Sequence, residues 1–408
     1  MEKRRVGCNG ESVAKFQGAW SGVRPGGARA LIFLLVGVML ALAPAAPAVW
    51  SNGRGAATIP PREGAPIDER AFWRMVSDFS EEDGRFHSDN LVSNEREYQV
   101  VIPQLKVNVG VGRAYLGVGP DQNFAYIAAL QPSVAFIVDI RRQNALLHLL
   151  YKAVFEDSET REEFLARLFS RPKPSGLDRR ATAGELLAAF DRLAPDPKLH
   201  ERNHRDVLKR LVDKHRFVLG AEDLRLLRYV HDAFYQTGPD ISYAYPTPAA
   251  QRFPSWGDLV LATDGEGINH GYIGSDEIYQ VLRRFQLENR LIPVVGDFAG
   301  DKALPSVAAY LQARGLKVGA FYTSNVEFYL YQTERWRTFF GHVGLLPVDQ
   351  ASQFIRSSFG TSGYGYGNFG GYQRMVVSRT LLDSISGLVN AFRDSRVETY
   401  EQLLDRSR

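Results

Sequence analysis

In this 408-residue sequence, two glycines and a later aspartate match the residue types and the spacing of a nucleotide-binding site. Gly117 and Gly119 follow a short apolar run and let the backbone turn tightly and approach a ligand. Asp139 lies 20 residues beyond Gly119, where nucleotide-binding βαβ units place the carboxylate that receives ribose hydroxyls. Asp121 fits the first turn of the helix between them. We expect these four residues to bind a small-molecule cofactor; an ordinary structural crossover is the alternative.

Two further polar residues follow predicted strands later in the chain. Asp297 ends the apolar run that begins at Leu291, and Asn325 comes shortly after the run Lys317–Tyr322. Because the carboxyl ends of parallel strands meet at one edge of a sheet, we expect Asp139, Asp297 and Asn325 to converge there. Each of the latter two residues could instead cap the helix that follows it.

The elements that must position these residues alternate between strands and helices. Apolar runs predict strands at Ala114–Val118 and Val134–Val138, with a helix at Asn123–Leu130 between them. The alternation resumes with the strand at 291–298, a helix at Ala303–Arg314 and the strand at 317–322. The fold class predicted is α/β, with a doubly wound, Rossmann-like sheet in one domain at residues 67–408.

The charged, proline-segmented stretch at about 157–235 interrupts this alternation. We interpret it as a helical insertion lying over the ligand end of the sheet. Helices are also predicted at Glu69–Phe79 and Ser275–Glu288, where apolar residues share one face.

The remaining segments give weaker patterns. Strands are predicted at Tyr98–Ile102, Leu105–Val109, Gln353–Phe359 and Arg374–Ser378, with a helix at Leu381–Phe392. Between the last two strands, residues 362–372 alternate glycines with aromatics. We expect a flexible loop there, whose rings cover a ligand or simply lie on the surface.

The segments GVGPDQNF, VVGDFAG and FYTSNVEFYL resemble an uncharacterised bacterial family that is similar to class I S-adenosylmethionine-dependent methyltransferases. The resemblance covers Arg113–Asn144 and Leu291–Tyr331. It implies S-adenosylmethionine as the cofactor and methyl transfer to a small hydroxyl- or amine-bearing substrate. By the same resemblance, the glycine turn faces the methionine moiety, Asp139 holds the ribose, and Asp297 meets the adenine amino group. Asn325 lies where substrate-facing polar residues are found.

Three histidines are further candidates for chemistry. His270 lies in a glycine-rich loop and is a candidate general base, because imidazole exchanges protons near neutral pH; a loop histidine bonded to the backbone is the alternative. His200 and His204 satisfy the H-E-x-x-H pattern of zinc proteases. Their surroundings, KLHERNHRDVLKR, are charged on all sides, so we expect a solvated helix and no metal site. A zinc hydrolase remains the third functional alternative.

The first 48 residues have the order of an export signal. A basic region precedes the apolar run Leu31–Leu42, and Ala46-Pro47-Ala48 fits a signal-peptidase site. We expect a cleaved signal peptide or a membrane anchor, a linker at 49–66, and a large domain outside the cytoplasm. Membrane contact is expected only through this N-terminal segment.

The charge balance argues against nucleic acid as a partner. Residues 1–29 contain six Lys and Arg against two Glu, which leaves 43 basic and 44 acidic residues in the rest of the chain. That part therefore has no net basic field to attract nucleic acid.

Because S-adenosylmethionine is made and held in the cytoplasm, export also favours the competing function, a non-catalytic exported ligand-binding protein. The sequence does not determine the oligomeric state.

We predict that alkaline phosphatase fused after residue 60 is active, because the enzyme matures only outside the cytoplasm and the preceding residues direct export. Colony and whole-cell phosphatase assays measure this. Activity restricted to a cytoplasmic reporter fused at the same point would contradict export.

Overall fold

The computed structural model describes residues 64–247, 253–367 and 371–407, and it describes side chains there except at 361–377. The predicted export segment and nearly all of the linker lie outside these residues. No helix within the described ranges is both long and apolar enough to cross a membrane.

The described residues contain a sheet of six strands in the order β3-β2-β1-β4-β5-β6. The strands are β1 Ala114–Gly117, β2 Val134–Asp139, β3 Leu291–Val295, β4 Val318–Ser324, β5 Gln353–Gly367 and β6 Gly371–Ser384. Strands β1 to β5 pair with one another in parallel, and β6 runs antiparallel to β5. This is an α/β fold with a mostly parallel sheet, and its strand order is consistent with a Rossmann-like fold. The predicted fold class is confirmed at that level.

The composition of the strands explains their place in the sheet. β1, β2 and β3 are buried along their whole length, as expected of parallel strands covered by helices on both faces. Pro293 is tolerated in β3 because this strand lies at the edge of the sheet, where one side needs no ladder hydrogen bond.

Fifteen α-helices surround the sheet in the described part of the chain. They are α1 Glu69–Asp78, α2 Ile102–Asn108, α3 Asn123–Leu130, α4 Arg142–Glu156, α5 Arg161–Leu168, α6 Ala183–Asp191, α7 Pro197–Leu208, α8 Ala221–Thr237, α9 Trp256–Val260, α10 Asp276–Leu287, α11 Ala303–Ala313, α12 Val326–Gln332, α13 Trp336–Val343, α14 Ile385–Arg393 and α15 Tyr400–Arg406. The stretch predicted as an insertion contains α5 to α8, and a π-helical turn at Lys209–Lys214 continues α7.

Two of the predicted strands are wrong. Residues 98–101 form turns, and 102–108 form α2. The buried residues Ile102, Leu105 and Val109 follow helical spacing, whereas Val107 is 80% exposed. A strand would have placed Leu105, Val107 and Val109 on one face. The β-branched composition suggested a strand, but burial follows the helical period.

The C-terminal predictions also need correction. The two predicted strands are present, but they extend to Gly367 and from Gly371, so the expected flexible loop is strand on both sides of the undescribed residues 368–370. Leu381 and Leu382 pair with β5 instead of starting a helix. The helix begins only after Ser384, whose side chain accepts from Gly387 N–H. Pairing with a neighbouring strand thus overrides the local helical pattern.

The H-E-x-x-H helix is not solvated on all sides, contrary to the sequence-based expectation. His200 and His204 are both buried on α7 and pack against His231 of α8. Both ring nitrogens of His200 are already engaged, with Ser170 Oγ at 3.2 Å and Asp232 Oδ1 at 2.5 Å. Within the described residues, no three His, Cys, Asp or Glu side chains are grouped so that they could hold a metal ion.

These buried histidines make stability depend on pH. The pKa of His231 is lowered to about 3 and that of His204 to about 4, mainly by burial. The positive charge of Arg228 acts in the same direction on both rings, whereas Asp232 and Glu201 oppose the shift at His204. The folded protein therefore keeps both rings neutral at pH values where an unfolded histidine, with a pKa near 6.5, takes up a proton. The unfolded chain binds more protons in this window, so acidification favours unfolding.

We predict that the free energy of unfolding falls as the pH falls from 6.5 towards 4, and is insensitive to these groups above pH 7. His231 alone accounts for about 2 kcal/mol of the loss between pH 7.5 and 5, because each pH unit well below the unfolded pKa contributes about 1.36 kcal/mol. Urea titrations at pH 7.5 and 5 measure this in the wild type, His231→Gln and the exposed control His87→Gln. An unchanged pH dependence in His231→Gln would contradict the account.

Candidate functional site

A cavity of about 600 Å³ opens at the carboxyl ends of β1, β2, β3 and β4. We call it the crevice. Gly119, Asp139, Asp297 and Asn325 all line it, each at or just after the carboxyl end of one of these strands. The volume lies within the usual range for small-molecule sites. The crevice also contains the point between β1 and β4 where the strand order reverses, which is where open α/β sheets bind ligands.

The glycine turn after β1 is held rigidly from two helices. Gly119 has φ +77°, a conformation that costs other residues steric strain. Asn123 of α3 donates from Nδ2 to the carbonyl oxygens of Val118 (2.9 Å) and Pro120 (2.7 Å). His148 of α4 lies with Nε2 2.9 Å from Gly119 O. Burial lowers the pKa of His148 to about 4, so the ring is neutral and donates its Nε2–H to this carbonyl.

Asp139 lies at the end of β2 and pairs with Arg141. Arg141 Nε is 3.3 Å from Asp139 Oδ1, and both side chains are buried. Arg141 also donates to Ser88 O (2.8 Å) and to Asp89 O. It thereby fastens residues 80–95, which we call the covering segment, to the sheet. A carboxylate has about four acceptor positions, and Asp139 already accepts from the backbone N–H, Nε and Nη2 of Arg141. It can therefore keep this ion pair and accept about one further hydrogen bond, from a ligand hydroxyl group.

Asp297 lies two residues after the end of β3. Its side chain is partly exposed, pairs with Arg335 and lines the crevice. Arg335 Nη1 donates to its Oδ2, and Arg335 Nη2 donates to Ala299 O at 2.8 Å. Asp297 does not cap α11, the alternative considered above. Glu81 of the covering segment does so instead, by accepting from Ala303 N–H at 2.8 Å.

Asn325 occupies the N-cap position of α12, but its side chain makes no capping hydrogen bond. Its Oδ1 instead accepts a long hydrogen bond of 3.4 Å from Ser324 Oγ, and the residue lines the crevice. The preceding residue, Ser324, has φ +53°. Such strain in a residue other than glycine is typical of functional sites.

Three of the sequence-predicted site residues do not line the crevice. Gly117 lies where α3 packs on β1, and a Cβ atom there would overlap Asn123 Oδ1. Its role in the structure is close packing. Asp121 is buried and accepts from Trp256 Nε1 (2.8 Å) and Tyr272 Oη (2.7 Å).

His270, the third of these, pairs with Asp264 instead of facing the crevice. Its Nε2 is 2.7 Å from Asp264 Oδ2, and this hydrogen bond lowers the pKa of Asp264. The backbone N–H of His270 donates to Gln99 Oε1 at 2.6 Å. The histidine loop is thereby tied to the segment that precedes α2, outside the cavity.

Sequence reasoning missed the covering segment entirely. It contributes Phe86 and Glu95 to the crevice, and Tyr243 and Tyr329 add further aromatic surface from other segments. Phe86 and Tyr329 meet edge to face, with ring centroids 5.4 Å apart. The segment has no helical or strand periodicity, and the one local signal is its concentration of Arg, His and Phe at residues 85–87.

A family model describes residues 90–189 and 197–378, which is more than half of the chain. The chain belongs to the family Domain of unknown function (DUF7790). The matched residues include the glycine turn, Asp139, Asp297 and Asn325, and also Glu95, whereas most of the covering segment precedes them. A search of curated proteins found no match.

We predict that Gly117→Ala destabilises the protein by about 1–3 kcal/mol, because the new methyl group must displace the Asn123 side chain that fixes the glycine turn. Thermal unfolding measures the effect. Gly110→Ala is the matched control, since a Cβ atom there has nothing within 4 Å. Equal melting temperatures for the two variants would contradict the packing role of Gly117.

Proposed function

We propose that the crevice binds an adenosyl ligand and that the protein is an S-adenosylmethionine-dependent, methyltransferase-like protein. The observation that carries the proposal is the convergence of Gly119, Asp139, Asp297 and Asn325 on one cavity. These four residues come from four different strand ends.

The chemistry of each position suits this ligand. Gly119 offers a turn without a side chain, against which the amino-acid end of the ligand would lie. Asp139 can accept a hydrogen bond from a ribose hydroxyl while Arg141 balances its charge. Asp297 can accept from the adenine amino group, and the aromatic rings of Phe86 and Tyr329 offer faces or edges to the base.

The two ion pairs also set a condition on binding. Asp139 and Asp297 each hold an arginine that lines the same cavity. A ligand without hydrogen-bond donors would leave these carboxylates as they are and gain little. A ribose and an exocyclic amine are both donors, so they can join each pair without breaking it.

We predict that S-adenosylhomocysteine binds the purified protein and raises its melting temperature, and that Asp139→Ala weakens binding about ten- to a hundred-fold. A hydrogen bond to a charged group contributes about 1.5–3 kcal/mol, and 1.4 kcal/mol is a factor of ten. Isothermal titration calorimetry measures both affinities.

Asp301→Asn, an exposed carboxylate outside the crevice, is the matched control and should bind as the wild type does. If the wild type gives no heat with S-adenosylmethionine or S-adenosylhomocysteine at millimolar concentration, the crevice serves another ligand. The non-catalytic, exported binding protein then becomes the better account.

A further inference from the structure

Glu95 of the covering segment is a buried carboxyl group on the wall of the crevice. Its side chain lines the cavity, and the residue is 1% exposed. Oε1 accepts a hydrogen bond from Ser324 Oγ at 2.5 Å. Oε2 is buried and has no hydrogen-bond partner among the described residues. The hydroxyl groups of Ser357 and Tyr322 are close enough to favour the carboxylate, but neither is in hydrogen-bond geometry with Oε2. One carboxyl oxygen of a residue that lines the cavity is thus left without a geometrically sound partner.

The other two acids that line the crevice differ from Glu95 in one respect. Asp139 is paired with Arg141 and Asp297 with Arg335. Within the described chain no lysine, arginine or histidine forms an ion pair with Glu95. An ionised carboxylate without a counter-charge is costly to bury, and burial accordingly raises the pKa of Glu95.

The groups that face Glu95 are hydroxyls, not charges. Ser324, Ser357 and Tyr322 oppose the rise in its pKa, but burial is the larger effect. The hydroxyl of Tyr322 is itself buried, and its pKa is raised well above 10, so it stays neutral. Arg85, Arg141 and Arg335 line the same cavity, but among the described residues none of them forms an ion pair with Glu95. A cationic ligand could therefore supply the counter-charge that Glu95 lacks.

An ammonium group meets this requirement better than a hydroxyl group. Both can donate a hydrogen bond to Oε2, but only the ammonium also balances the charge in a site with little water. The aromatic rings on the same cavity, Phe86 and Tyr329 among them, attract cations as well.

We propose that Glu95 receives a protonated amine, and that the small molecule sharing the crevice with the adenosyl ligand is a primary amine, not an alcohol. The identity of the co-ligand rests on the proposed function; the role of Glu95 rests on its own surroundings. Burial raises the pKa of Glu95, and an ammonium group beside the carboxyl would lower that pKa again. Binding of a protonated amine should therefore release protons, and amine affinity should rise with pH, over the range in which Glu95 titrates.

A matched pair of probes tests this. Benzylamine and benzyl alcohol carry the same ring and differ in the charged donor. Calorimetry on the full chain, with and without S-adenosylhomocysteine, should show benzylamine binding at least ten-fold more tightly than benzyl alcohol. Repeating the titration in buffers with different heats of ionisation should show proton release with the amine alone.

Glu95→Gln keeps the size of the side chain and should fold, since it removes a buried acid; it should abolish both the preference and the proton release. Glu97→Gln changes an exposed carboxylate two residues away and should keep both. The proton measurement on the wild type requires no variant.

The outcomes separate the two proposals. Equal affinities for the two probes, no proton release, or a preference that survives in Glu95→Gln overturns the role of Glu95, even if S-adenosylhomocysteine binds. A Glu95-dependent preference for benzylamine without any binding of S-adenosylhomocysteine supports that role and overturns the adenosyl ligand.

Discussion

The buried ion pair between Asp139 and Arg141 joins the sheet to the segment that covers its ligand-binding edge. Arg141 contacts Asp139 on one side and the carbonyl oxygens of Ser88 and Asp89 on the other. Without its partner, either buried charge would destabilise the fold by about 3–5 kcal/mol. The pair thus helps to hold the covering segment, which forms part of the crevice wall. The same carboxylate is the proposed ribose acceptor, so ligand binding and the position of the covering segment are coupled through one side chain.

The site is assembled from segments that lie far apart in the chain. Glu95 comes from before the first strand, the glycine turn and Asp139 from the first βαβ unit, and Ser324 from the end of β4. Parallel strand order brings these segments together, since β1 and β4 are neighbours in the sheet. The insertion adds support from outside: Tyr229 of α8 donates to Asp89 of the covering segment. Residues of the insertion thus support the covering segment, although they do not line the crevice.

The parts predicted from sequence are those where local pattern and tertiary environment agree. Helix α3 and strand β2 are short and apolar, a proline at position 132 separates them, and their ends were predicted to within a residue. The segment that contains α2 was predicted as strand because valine and isoleucine are frequent from Val100 to Val109. Glu95 could not be found, because its segment has no period and its importance arises from burial against Ser324, 229 residues away. His200 and His204 were thought exposed because their neighbours are charged, yet those neighbours lie on the opposite face of α7.

A crystal structure of the purified protein with S-adenosylhomocysteine tests the account most directly. It should show the ligand in the crevice, with a ribose hydroxyl on Asp139, the adenine near Asp297 and the amino-acid end at the Gly119 turn, while Arg141 still contacts Asp139. Density for the ligand elsewhere, or an empty crevice at saturating ligand, would contradict the central claim.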